Sequence, residues 1–134
     1  MAKLLDAMKA AEEIVKDNFE VGHSNITRYS CFVPEEETNI CLEPAKTKED
    51  EQRLSRVDVD ERAYFNLYYI EDAPKDRDMT GFIEKKEAIK KELRKSGDLK
   101  STVLSFTINS EFKDRGKGDN IEFVVKLQIN AQLK

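Results

Sequence analysis

A chain of 134 residues, 37% charged and 39% hydrophobic, has room for one domain with a real core, since a domain near this size hides roughly 70% of the surface its unfolded chain exposes. Five Gly, three Pro and 27 acidic against 23 basic side chains exclude a collagen, a disulfide scaffold and an acidic disordered tail. The net charge of −4 argues against a protein that wraps nucleic acid, and no apolar run approaches the roughly 20 residues that span a bilayer.

The opening residues Met1 to Asp6 lack the apolar stretch of a secretory signal. Synthesis inside a cell follows as the expectation, with Cys31 and Cys41 reduced. Leu4, Met8, Ala11, Val15 and Phe19 recur at helical spacing, broadened by Leu5, Ala7 and Ile14, so residues 3–19 are predicted to form an amphipathic helix stopped near Gly22. A lone helix of that length is marginal in water, so its apolar face must lie on something larger.

Tyr29 to Val33 and Asn39 to Leu42 are β-rich runs joined by a polar connection, and together they predict a hairpin that sets Cys31 opposite Cys41. Lys46 to Arg56 is almost wholly polar and reads as a loop or hairpin tip within about 45–57. From Val57 to Ile70 the odd positions Val57, Val59, Ala63, Phe65, Leu67 and Tyr69 are apolar, with Glu61 the exception. This predicts one long strand with its odd face inward and Tyr64 and Tyr68 on the other face.

Asp78 is placed to cap a second helix that runs to about Ser96, with Met79, Phe82, Ile89 and Leu93 inward, Lys86 interrupting the stripe and Gly97 just beyond the end. Leu104, Phe106, Ile108 and Phe112 then alternate with Val103, Ser105, Thr107 and Asn109. The cleanest alternation is the last, Ile121 to Leu133 on odd positions against Glu122, Lys126, Gln128, Asn130 and Gln132, with Val124 the exception on the polar side. The order predicts a single α+β domain over residues 1–134, a mostly antiparallel sheet with two helices packed on one face. Its polar second face is expected to meet water or another subunit.

Few residues invite chemistry. His23 follows the first helix as the only histidine and reads as a loop residue, because no second histidine or suitably spaced cysteine completes a metal site or a triad. Glu35 to Glu37 lack the alternation and glycine turn of a calcium loop. Asp114 to Asn120 resembles a phosphate loop only superficially, since a strand and not a helix follows it. No catalytic, metal or cofactor-binding residue is assigned, and an enzyme is not expected. The remaining candidates are charged surfaces: Lys85, Lys90, Lys91, Arg94 and Lys95 on the second helix, and Lys46, Lys48, Glu49, Asp50, Glu51, Arg53 and Arg56 in the charged segment. The helix face is either solvated, or touches a nucleic-acid backbone, or meets acidic groups of a neighbouring subunit such as Glu12, Glu13 and Asp17.

This layout of amphipathic helix (Lys3 to Phe19), strand (Ile40 to Leu42), charged excursion (Lys46 to Arg56), aromatic strand (Ala63 to Ile70), helix (Met79 to Ser96) and two final strands resembles the tail-terminator and head–tail joining proteins of long-tailed phages. The resemblance spans nearly the whole chain and carries no signature motif. It implies a structural virion protein, made in the host cytoplasm, whose copies form a ring, commonly a hexamer, that caps the tail tube and joins it to the head connector. The partners so implied are the chain itself, the tail tube protein and the connector proteins. DNA would pass through the ring without specific binding, the 46–56 residues would face a subunit interface or the bore, and no membrane is involved. The alternative from another class is a small monomeric binding module that uses the Tyr64/Tyr68 face of the sheet.

Overall fold

The computed structural model describes residues 3–26, 38–45, 62–117 and 120–133. In chain order the elements are α1 (Lys3–Asn18), β1 (His23–Ile26), β2 (Thr38–Pro44), β3 (Arg62–Asp72), α2 (Thr80–Ser96), β4 (Val103–Lys117) and β5 (Asn120–Leu133). The fold is α+β. One five-stranded sheet has the order β1-β2-β3-β5-β4, antiparallel except for the β1–β2 pair, which is parallel.

Strand β5 shows most directly how pattern becomes structure. Its odd residues Phe123, Val125, Leu127, Ile129 and Ala131 are buried, and the register stacks them beside Tyr69, Leu67, Phe65 and Ile108 from the strands on either side. Ile40 and Leu42 of β2 extend the same face opposite Tyr69 and Leu67. Ala7, Met8, Ala11, Ile14 and Val15 of α1 and Phe82, Ile89 and Leu93 of α2 belong to the same continuous core. Both helices therefore bury their apolar stripes on one face of the sheet, which is what their spacing requires.

The helix ends follow local chemistry. Asn18 closes α1 by donating its Nδ2 to the Ile14 carbonyl at 2.8 Å, so the helix stops before Gly22. At the start of α2 the N-cap is Met79, which makes no side-chain cap bond, and the Asp78 carboxylate one position before it accepts the Thr80 N–H at 3.0 Å and the Thr80 hydroxyl at 2.7 Å. Gly97 ends the helix with φ 66°, a conformation that costs a glycine little. Leu99, Lys100 and Ser101 then follow with φ of 44°, 56° and 67°. A left-handed run of this kind costs on the order of 1–2 kcal/mol per residue. Burial of Leu99 in the core and the Ser101 N–H donated to the Asp98 carboxylate offset it.

Four sequence expectations change. His23 and its neighbours form a strand and not a loop, because the backbone of β2 offers His23–Ile26 a parallel partner that a short polar segment does not advertise. Leu104, expected on the inner side of its strand, is 58% exposed. The pairing passes from Val103↔Leu133 to Ser105↔Gln132, so Leu104 is the extra residue of a bulge and Val103 takes the buried position. Cys41 is disulfide-bonded, whereas the compartment argument predicts a reduced thiol; a bridge is decided by the proximity of two sulfurs, and the sequence holds one other cysteine, Cys31. Finally, the second face of the sheet is not uniformly wet, since Asn39, Cys41, Asn66, Ile70, Glu122 and Val124 on it are buried. The predicted strand at 29–33, the 46–56 segment with Lys46, Lys48, Glu49, Asp50, Glu51, Arg53 and Arg56, and the 57–61 part of the long strand lie outside the described residues.

Candidate interaction surfaces

The basic side of α2 divides into three environments. Lys85 reaches back to the sheet and pairs with Glu71 at 2.7 Å, beside an open hollow at the end of β3 that Asp72, Asp76 and Asp78 also line. Lys91, Arg94 and Lys95 stay together on the outer side with Glu87 and Ala88 between them, and Lys95 lies 3.6 Å from Glu92. Lys90 is half-buried at the flank. The face thus carries three solvated cations and nearby carboxylates, which is weaker electropositivity than the sequence suggests.

Lys86 is the side chain whose place the sequence obscures. It is 8% exposed and continues the inward stripe Phe82–Ile89–Leu93 one turn after Phe82. Its ammonium lies 5.2 Å from the centroid of the Phe112 ring and pairs with Glu87, whose carboxyl that hydrogen bond holds below the usual range. The spacing of four from Phe82 is the signal that places it, and a long aliphatic stem makes the position tenable.

Acidic groups on α1 are already engaged within the chain. Lys100, set by the left-handed turn, lies 2.9 Å from Glu13 and 3.7 Å from Asp17. The hydrogen bond from Lys100 lowers the pKa of the Glu13 carboxyl, and the same contact raises that of Lys100.

Strand β4 bounds the sheet, with β1 at the opposite edge. Among the described residues no strand lies beyond it. Its first eight residues, Val103–Ser110, contain no charge, no Pro and no Gly, whereas Glu111, Lys113, Asp114, Arg115 and Lys117 crowd its second half. Natural edge strands are commonly blunted by charge or proline, and half of β4 is. The uncharged half is not, and Leu104 stands exposed in it.

The second face of the sheet gathers uncharged polar side chains in register. Asn66 on β3, Gln128 on β5 and Asn109 on β4 form one row, and Tyr64, Asn130 and Thr107 form the next. With Ala45 beside them, these rows enclose a pocket of about 230 Å³ lined by Tyr64, Asn66, Asn109, Gln128 and Asn130. Glu43, opposite Asn66, accepts the Tyr68 hydroxyl at 2.8 Å and, at 3.5 Å, the Asn66 amide. Burial first, and then the Glu43 carboxylate, push the Tyr68 phenol up to about 12. Tyr69, inside the core, is raised further by burial and by Glu71. The sequence points to Tyr64 and Tyr68 but not to the amides, which come from three strands and look like ordinary outward polar residues until register joins them.

Among the described residues no group of three or more His, Cys, Asp or Glu is placed to hold a metal ion, and no helix is long and apolar enough to cross a membrane. Comparison with protein-family models and with curated proteins finds no match for the chain.

Proposed function

We propose that this chain is a structural subunit of a long-tailed phage virion, a tail-terminator or head–tail joining protein whose copies close into a ring between tail tube and head connector. The uncharged stretch Val103–Ser110 along the outer edge of β4, beyond which no described strand lies, carries the reading. A row of backbone donors and acceptors with nothing to repel a second strand favours pairing with another chain. The two ends of the sheet are unlike, a 15-residue strand at one and a 4-residue strand at the other. Contact between unlike edges is heterologous, and heterologous contacts form a ring where the rotation from copy to copy closes. A net charge of −4 suits a bore that lets DNA pass without holding it.

Sedimentation velocity combined with electron microscopy of the purified protein tests this. A closed ring of more than two copies is the expected particle, and the double variant Leu104→Lys/Thr107→Lys should dissociate it while leaving circular dichroism unchanged. A monomer at every concentration, or a two-fold dimer, overturns the reading. The pocket among Asn66, Gln128 and Asn130 favours the second reading, a binding module that works through the Tyr64/Tyr68 face.

A further inference from the structure

Exposed apolar side chains gather at one end of the sheet. Among the described residues three large hydrophobic side chains are exposed, Leu104 at 58%, Ile83 at 43% and Phe112 at 38%, and Leu104 and Phe112 belong to β4 itself. Ile83 is placed by the two lysines that follow it. Lys85 pairs with Glu71 on β3, whereas the Lys86 ammonium lies over the Phe112 ring on β4, so the two mark opposite flanks of α2. Ile83 stands three residues before Lys86, on the flank that faces β4. Phe112 in turn continues the core-side row Phe106, Ile108 and Ser110, whose partners on β5 are Ala131, Ile129 and Leu127. The apolar flank is therefore continuous with the backbone edge of β4. Three part-exposed side chains cannot supply the roughly 800 Å² per partner of a stable interface, so whatever covers them must use that backbone edge as well.

We propose that the strand received there is β1 of the next copy, so that one sheet runs on from subunit to subunit. This seam rests on the reading of the chain as a ring subunit and names which edge meets which. Strand β1 bounds the sheet opposite β4, with no described strand beyond it. Its residues His23 to Ile26 include no Lys, Arg, Asp, Glu, Pro or Gly, so nothing in its sequence blunts it against a partner strand. Its direction also fits. Strand β1 runs parallel to β2, and three antiparallel pairings then follow across the sheet, which leaves β4 running opposite to β1. A copy set alongside in the same orientation offers β1 antiparallel to β4, keeps the helices of both copies on one side, and needs no two-fold reversal. Ile26 lies opposite Leu42 and packs against the core, which places it on the helix side of β1. In the joined sheet it meets the core-side row of β4, where Ile83 and Phe112 give it an apolar neighbour.

Isoleucine-methyl NMR of the intact protein with a soluble paramagnetic agent reads this contact without altering either isoleucine. The assembled parent is compared with the Leu104→Lys/Thr107→Lys variant that dissociates it. The Ile83 and Ile26 methyl signals should be bleached in the variant and protected in the parent, while those of the buried Ile40 and Ile129 stay sharp in both. Ile83→Ser should weaken association about tenfold, the loss of one anchoring side chain, and Lys91→Ser on the outer side of α2 should change it less than about twofold. A parent that assembles with both methyls bleached, or with Ile83 protected and Ile26 bleached, overturns the seam and leaves the ring standing. A double variant that stays assembled takes the β4 edge out of the contact and overturns the seam as well. A parent that is monomeric at every concentration removes the ring and the seam together, and a two-fold dimer with Ile83 protected and Ile26 bleached replaces both with pairing of β4 against β4.

Discussion

Replacing Phe82 by alanine should cost more stability than any other single truncation in α2. The ring is 1% exposed and lies 5.8 Å from the ring of Tyr69, 6.0 Å from Phe112 and 5.5 Å from Phe123. It thus joins the helix to β3, β4 and β5 at once. A buried phenylalanine hides about 150–200 Å², which at about 25 cal/mol per Å² is near 4 kcal/mol. Alanine keeps a fraction of that burial and is the better helix former by about 0.5 kcal/mol, while the cavity and the lost ring contacts act in the opposite sense. The net expectation is about 3–4 kcal/mol, inside the range measured for such truncations. Urea unfolding followed by circular dichroism reads it directly: with m near 1.5 kcal/mol/M, the midpoint should fall by about 2 M at unchanged m. Phe82→Leu keeps most of the volume and loses the ring geometry, so it should cost about 1 kcal/mol and remain measurable if the alanine variant unfolds. A midpoint for Phe82→Ala within about 0.5 M of the parent would refute the docking of α2 through this ring.

Reduction should destabilise the protein, because Cys41 is in a disulfide and the only other cysteine, Cys31, would close a loop of about eleven residues in a monomer. Chain entropy puts the loss near 3 kcal/mol, and thermal melts with and without a reductant measure it; identical melting temperatures would remove the bridge from the account. Tyr68 should titrate about two units above a free tyrosine. Its folded pKa lies above the unfolded value, so the stability it contributes is complete below about pH 10 and is lost as pH rises toward about 12. Absorbance titration of the parent against Tyr68→Phe isolates that step, and a phenolate appearing near pH 10 in the folded protein would contradict the burial and Glu43 contact assigned to it.

How much of this was legible beforehand depends on where the stabilising partner sits. Strand β5 and the inner face of β3 could be read residue by residue, because each alternate side chain enters one core and the pattern records that burial. Gly97 announces the end of α2 by its own chemistry, whereas Asp78 marks the start one position early, its carboxylate holding the Thr80 N–H from before the N-cap Met79. Strand β1 could not be read, since His23–Ile26 is short and mostly polar in sequence and the strand it pairs with, β2, lies some sixteen residues further on. Leu104 misleads because one bulge reverses the alternation that holds for the rest of β4. Lys86 looks like a break in a stripe only until its ammonium is seen over Phe112. The amide pocket was invisible for a different reason: Asn66, Asn109 and Gln128 come from separate parts of the chain, and register alone makes them neighbours.

The sheet order β1-β2-β3-β5-β4 also has a consequence in time. Strand β5 sits between β3 and β4 along their full lengths, yet it follows both in the chain. A ribosome delivers residues at about 5–20 per second from the N-terminal end. While it does so, β2 and β3 can pair and α2 can form, but β4 has no neighbour in its final place until residues 120–133 emerge. The uncharged half of β4 is therefore exposed on both edges during synthesis, and closing the sheet is a single late event made of long-range pairings, the slow kind. The same strand that would join one copy to another thus waits longest for its partner within its own chain.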